Sequence, residues 1–202
     1  MLKKTANIFS IILHPLLMPT IGLFLIFNSK SYLSFMPIQE QKVLFLIIFV
    51  NTFVFPISII PFFIYQKLIK NIKLSNRKER IFPLSITLIF YFFSYLILHK
   101  LIAPVIIQNF ILGSFISILL LLLISLKWKI SAHMIGVGGI VGLVLALSMK
   151  LIIDLQVIIM ILFVVSGILG SVRLYLNEHK PLQIYSGFML GLLVVLTTIL
   201  FL

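Results

Sequence analysis

Apolar runs of about twenty residues follow one another along almost the whole of this chain, and no other feature limits its fold so strongly. An α-helix rises about 1.5 Å per residue, so one such run crosses the ~30 Å hydrocarbon core of a bilayer. Divided at charged and turn-forming residues, the 202-residue sequence gives seven candidate helices, at about 6–27, 43–66, 82–99, 103–126, 131–149, 152–170 and 182–202. The sixth is among the shortest, so the pattern predicts an all-α polytopic transmembrane bundle of six to seven helices. The runs leave no room for a soluble domain, and residues 1–202 read as one integral membrane domain. Composition agrees: 62% of residues are hydrophobic, against roughly half in a soluble domain.

Local signals refine this reading. The opening stretch "MLKKTANIFSIILHPLLMP" is signal-like, but it has no small-residue cleavage site and its apolar run continues to Phe27. It is expected to stay as the first helix. Pro15, Pro19, Pro56 and Pro61 fall within or near the ends of runs and predict kinks, because a proline removes a backbone donor. Pro83 and Pro181 stand at the start of runs, where the missing N–H is harmless. With no cysteine, the chain has neither a disulfide framework nor a thiolate metal site.

The formal charge of +12 points to topology or to anionic lipid and phosphate, and away from nucleic acid. Seven crossings put the N-terminus with segments 67–81, 127–131 and 171–181 on one side. That side holds twelve of the sixteen basic residues; Lys30, Lys42, Lys100 and Lys150 lie on the other. The positive-inside rule makes the richer side cytoplasmic, although a phosphate site would gather cations at its own end in either orientation.

Three polar stretches share the richer side: "KLSNRKER" at 73–80, "KISAHMIGVGG" at 129–139 and "SVRLYLNEHKPLQ" at 171–183. They bring Lys73, Arg80, Ser131, His133, Arg173, His179 and Gln183 to one end of the bundle. The four acids, Glu40, Glu79, Asp154 and Glu178, are too few and too scattered for a two-metal phosphatase centre, which needs several oxygen ligands on each ion. Cations and imidazoles remain, and these suit a bound phosphate. Arginine offers a bidentate fork, lysine a point charge, one imidazole a nucleophile and the other a proton.

In these stretches the chain resembles the type 2 phosphatidic acid phosphatase superfamily, as a divergent bacterial member with a core at about 73–202. That family carries K-x6-RP, PSGH and SR-x5-H-x3-D. Here Lys73-x6-Arg80 keeps the first spacing with Pro83 displaced, Ile130-Ser131-Ala132-His133 stands at the second, and Arg173-x5-His179-x3-Gln183 at the third. The resemblance implies that Lys73, Arg80 and Arg173 hold phosphate oxygens and that Ser131 donates to them. It also implies that His133 is the general acid and that His179 is the nucleophile, passing through a phosphohistidine. No metal or cofactor is implied. Val172 replaces the Ser beside the arginine, Ala132 replaces a Gly, and Gln183 replaces the Asp that orients the nucleophilic imidazole. A neutral amide keeps that hydrogen bond but not its charge. Two helices inserted between the first and second motifs must form a tight return hairpin.

Plainer roles stand beside these. Arg173 and Lys180 could be flanking cations that snorkel to headgroups, and His133 and His179 could be interfacial rings satisfied by backbone carbonyls. His14, inside the first run, is read as bonding a carbonyl freed by the Pro15 kink. His99 and Lys100 form an interface pair on the far side, Asp154 suits a helix start, and Glu178 is incidental. Gly138 and Gly142, and Gly187 and Gly191, have the G-x3-G spacing of close helix packing, which would bring His133 and His179 within reach of one phosphorus.

The expected function is hydrolysis of a lipid phosphate or polyprenyl pyrophosphate in a bacterial cytoplasmic membrane. The alternative is a catalytically weakened relative that binds phospholipid or polyprenyl phosphate, or a non-enzymatic membrane partner. A transporter would show an internal repeat or paired broken helices, and neither is evident. Nothing in the pattern fixes an oligomeric state.

Overall fold

A computed structural model describes residues 2–67 and 78–202, and all its regular elements are helical. Seven segments are long and apolar enough to cross a membrane: Lys3–Phe27, Ile38–Tyr65, Ile81–Lys100, Val105–Ser125, Ala132–Leu151, Gln156–Tyr175 and Pro181–Phe201. The chain is an all-α integral membrane protein whose spans follow the apolar runs closely. The second starts five residues earlier than expected, at Ile38, because Pro37 caps it.

Proline shapes the first two spans. The first consists of α1 (Leu2–Ile12), a 3-10 turn at Pro15–Leu17 and α2 (Met18–Phe27). The residue before a proline is driven out of the helical region, and His14 accordingly sits extended, at φ −65° and ψ 135°. The second consists of α3 (Ile38–Phe49), a π-helical turn at Val50–Val54, and the short helices α4 (Phe55–Ser58) and α5 (Ile60–Tyr65), each with a proline in its first turn. These are the expected kinks. Inside the π turn, Thr52 Oγ1 reaches the Leu16 carbonyl at 3.4 Å and ties the second span to the break in the first.

The remaining spans are single helices: α6 (Ile81–Lys100), α7 (Val105–Ser125), α8 (Ala132–Leu151), α9 (Gln156–Tyr175) and α10 (Pro181–Phe201). Only 101–104 separate α6 from α7, and the two pack together as the tight return hairpin that the motif spacing requires. α8 is the axis of the bundle, packed by α2, α7, α9 and α10. Its closest partner is α10. A Cβ at Gly191 would collide with the Ile135 carbonyl, and Cβ atoms at Gly138 and Gly142 would collide with the Phe188 and Leu192 carbonyls. The two backbones touch along both G-x3-G pairs, the packing expected of such spacing in an apolar helix.

Candidate functional site

The closeness of α8 and α10 brings their N-termini side by side. Ser131, the residue before α8, donates its backbone N–H to the Gln183 carbonyl at 3.2 Å. The start of α6 joins them, as Arg80 Nη1 donates to the Ile130 carbonyl at 3.3 Å. All three polar stretches therefore meet at one end of the bundle. Lys73 lies outside the described residues.

The end of α9 folds over this junction through its C-cap. Asn177, in the left-handed region at φ 55°, donates its N–H to the Leu174 carbonyl (2.9 Å), and Glu178 N–H goes to the Arg173 carbonyl (3.2 Å). This double bond pattern is a Schellman motif, and it turns the chain back on itself. Glu178 Oε2 comes to 3.9 Å from Arg173 Nη2, and His179 is carried inward to 8% exposure. Glu178 is therefore part of the site and not incidental, since residues 176–180 form a turn and not a helix. Asn177 was its signal in the sequence, because asparagine tolerates left-handed backbone at helix ends.

His179 Nδ1 lies 3.2 Å from Gln183 Oε1. An amide oxygen only accepts, so Nδ1 carries the proton and the Nε2 lone pair has no partner among the described residues. The same Oε1 accepts from Lys180 N–H at 3.0 Å and so completes the first turn of α10. Burial, then Arg80 and Arg173, hold the His179 ring far below the usual histidine range, at about 3; Lys129 adds to the effect and the Gln183 bond opposes it. The ring is neutral at physiological pH. Burial and Arg173 also depress the Arg80 guanidinium, with Glu178 opposing, and burial followed by Arg80 depresses the Lys129 ammonium. Those three cations and His179 occupy one electrostatic neighbourhood. Lys129 belongs to it although no motif marked it.

His133, the second residue of α8, lies within electrostatic reach of Arg173, His14 and His179. Its Nε2 is 3.1 Å from the Ser10 carbonyl and 3.3 Å from Ser10 Oγ. Its ring meets His14 edge-on, with centroids 5.8 Å apart. The sequence reading gave a carbonyl freed by the Pro15 kink to His14. In the structure His133 takes such a carbonyl, that of Ser10, while His14 Nδ1 instead accepts the Leu16 N–H at 3.3 Å. Ser10 itself was missed: a serine in an apolar run has no signal until its partner, 123 residues away, is known. It also accepts Arg173 Nη1 at 2.8 Å.

Two buried donors in this cluster have no hydrogen-bond partner among the described residues: Ser131 Oγ and Arg173 Nε. Ser131 is wholly buried at the start of α8 yet does not cap it, unlike most serines at that position. Both donors belong to residues expected to hold phosphate, and unpaired buried donors in a cationic pocket fit an anion. Among the described residues no group of three or more His, Cys, Asp or Glu is placed to hold a metal ion. Lys180 is exposed at the head of α10 and fits the flanking-cation role.

An apolar crevice lies between α6, α7 and α8 near this cluster. Leu84, Thr87 and Tyr91 line it on α6, on the face that begins with Arg80; Ala132, Gly136 and Gly139 line it on α8, beside His133. No protein-family model, curated protein or solved structure matches the chain.

Proposed function

We propose that the protein is a membrane-embedded phosphohydrolase that removes phosphate from a lipid phosphate or polyprenyl pyrophosphate, with a phosphohistidine intermediate, in the cytoplasmic membrane of a bacterium. The observation that carries this is His179: a buried, neutral imidazole with its proton fixed on Nδ1 by Gln183, its Nε2 without a partner among the described residues, and Arg80, Lys129 and Arg173 around it. The resemblance to the type 2 phosphatidic acid phosphatases assigns Arg80, Arg173 and His179 the same parts. The apolar crevice beside Ala132 favours a substrate with a hydrocarbon tail over a soluble phosphate ester.

The chemistry is an in-line displacement. The Nε2 lone pair of His179 attacks phosphorus, the bond from phosphorus to the leaving oxygen breaks, and that oxygen takes a proton from His133 Nδ1, which has received it from the hydroxyl of the bound phosphate. Water then attacks the phosphohistidine, giving up a proton to His133 and releasing inorganic phosphate and free His179. Arg80, Arg173 and Lys129, with Lys73 as a further candidate, would stabilise the equatorial oxygens, the main source of catalysis in phosphoryl transfer. Ser131 Oγ–H and Arg173 Nε–H would donate to the same oxygens. The helix N-termini at Ala132 and Pro181 add positive potential.

Gln183 favours a second reading, a relative that binds lipid phosphate without cleaving it, because no carboxylate faces His179 Nδ1 to hold the charge of the phosphorylated ring. One assay separates the two: phosphate release from phosphatidic acid, phosphatidylglycerol phosphate and undecaprenyl pyrophosphate by the wild type, His179→Ala and Gln183→Asp. Release by the wild type, lost in His179→Ala, is expected. No release by the wild type with a gain in Gln183→Asp identifies the binding protein. No release by either sinks the enzymatic reading.

A further inference from the structure

The first span enters the site although none of the three motifs lies in it. Along α1 the backbone ladder runs regularly until Leu13 N–H donates to the Phe9 carbonyl. An unbroken helix would next send His14 N–H to the Ser10 carbonyl. It goes instead to Ile11, at 3.2 Å, because Pro15 forces His14 out of the helical region. The Ser10 carbonyl is passed over. A carbonyl left open inside a bilayer must find another donor, and the one it finds is His133 Nε2–H.

This bond fixes a chemical state. A carbonyl oxygen accepts and never donates, so His133 Nε2 bears the proton and only Nδ1 remains for other work. The serine hydroxyl acts on a second group. Ser10 Oγ accepts Arg173 Nη1 at 2.8 Å, while Glu178 faces Nη2 at 3.9 Å, so the fork is held on both sides. Nε, on its third edge, is buried with no hydrogen-bond partner among the described residues. The turn is itself fastened, by His14 Nδ1 on Leu16 N–H and by Thr52 Oγ1 on the Leu16 carbonyl.

We propose that the broken turn from Ser10 to Pro15 is a positioning element of the anion site: the Ser10 hydroxyl aims the Arg173 fork, and the Ser10 carbonyl fixes His133 as the Nε2–H tautomer, leaving Nδ1 to face the phosphate. The proposal rests on the phosphate-site reading above. It makes Ser10 and Pro15 positioning residues, neither of them touching substrate, and makes the first span part of the site.

The test uses full-length protein in detergent and two readouts. The first is ¹⁵N NMR of histidine-labelled protein, with His133 assigned by its loss in His133→Gln; the wild type should show the neutral Nε2–H form. Pro15→Ala, which lets His14 N–H reclaim the Ser10 carbonyl, should remove that preference. The second is calorimetric titration with orthovanadate, a mimic of the phosphoryl-transfer transition state. Ser10→Ala should weaken binding about tenfold, the scale of one hydrogen bond to a charged group, and Ser10→Thr should restore it. A His133 found as the Nδ1–H tautomer, or equal vanadate affinity in the wild type and Ser10→Ala, overturns the proposal. A wild type that binds no vanadate overturns the phosphate-site reading itself, and the tautomer then still decides whether Ser10 sets the state of His133.

Discussion

At the scale of single residues, Gln183 decides how His179 can work. Its amide oxygen fixes the proton on Nδ1 but supplies no charge, while burial, followed by Arg80, Arg173 and Lys129, keeps the ring neutral. Such a ring is a ready nucleophile, but it is poorly supported once phosphorylated. Gln183→Glu keeps the reach and adds the charge. Titrated by NMR, His179 should move up from about 3, and formation of the phosphohistidine should rise by about tenfold or more; removal of the analogous carboxylate from a serine-protease triad costs ~10⁴. An unmoved pKa would mean that the new carboxylate does not face the ring. The same depression links stability to pH. The unfolded chain takes up a proton on His179 near 6.5 and the folded chain only near 3, so the ring's contribution is complete above 6.5 and declines as pH falls between those values. Between pH 6.5 and 5, where carboxylates stay ionised, the thermal midpoint of the wild type should fall more than that of His179→Gln. Parallel curves would mean that the ring is protonated in the fold.

At the scale of elements, the site depends on how closely α8 and α10 approach. A Cβ at Gly187 would lie 2.8 Å from the Ser131 carbonyl oxygen, and one at Gly191 would collide with the Ile135 carbonyl. The obstructing atoms are backbone, which cannot rotate away. Gly191→Ala should destabilise the protein by about 1–3 kcal/mol or more and cost vanadate binding as the two N-termini part. Gly167, whose Cβ would meet nothing within 4 Å, is the matched control, and Gly167→Ala should stay within about 1 kcal/mol of the wild type in thermal unfolding. Equal effects at the two positions would mean that α8 and α10 are not in backbone contact. This packing was legible in the sequence because G-x3-G spacing and helical periodicity are properties of a single run. The turn that closes α9 was only half legible. Asn177 marks it, but the pairing of Glu178 with Arg173 exists only once the left-handed residue has reversed the chain.

At the scale of the whole molecule, the seven crossings were readable because the bilayer sets a length that each apolar run meets independently of the others. The inward course of the first span was not. Ser10 and His14 gain their partners from α8 and α9, and Leu16 gains one from the second span; tertiary neighbours leave no periodic trace in the run that carries them. Orientation is also a property of the whole chain. Seven crossings gather twelve basic residues at the site end and leave four at the other. Setting aside Lys73, Arg80, Lys129 and Arg173, which the site would attract in either orientation, leaves the site end with twice as many as the far end. On the proposed function, the positive-inside rule would put the site at the cytoplasmic face, and a lipid substrate would present its phosphate from the inner leaflet. The chain has no native cysteine, which makes the expectation simple to check with single replacements. In intact cells a membrane-impermeant maleimide should label Lys30→Cys and Lys100→Cys, both exposed at the far end, and should reach Lys127→Cys only after the cells are opened. Labelling of Lys127→Cys alone from outside would invert the protein. The cations beside His179 would then answer to phosphate and not to topology.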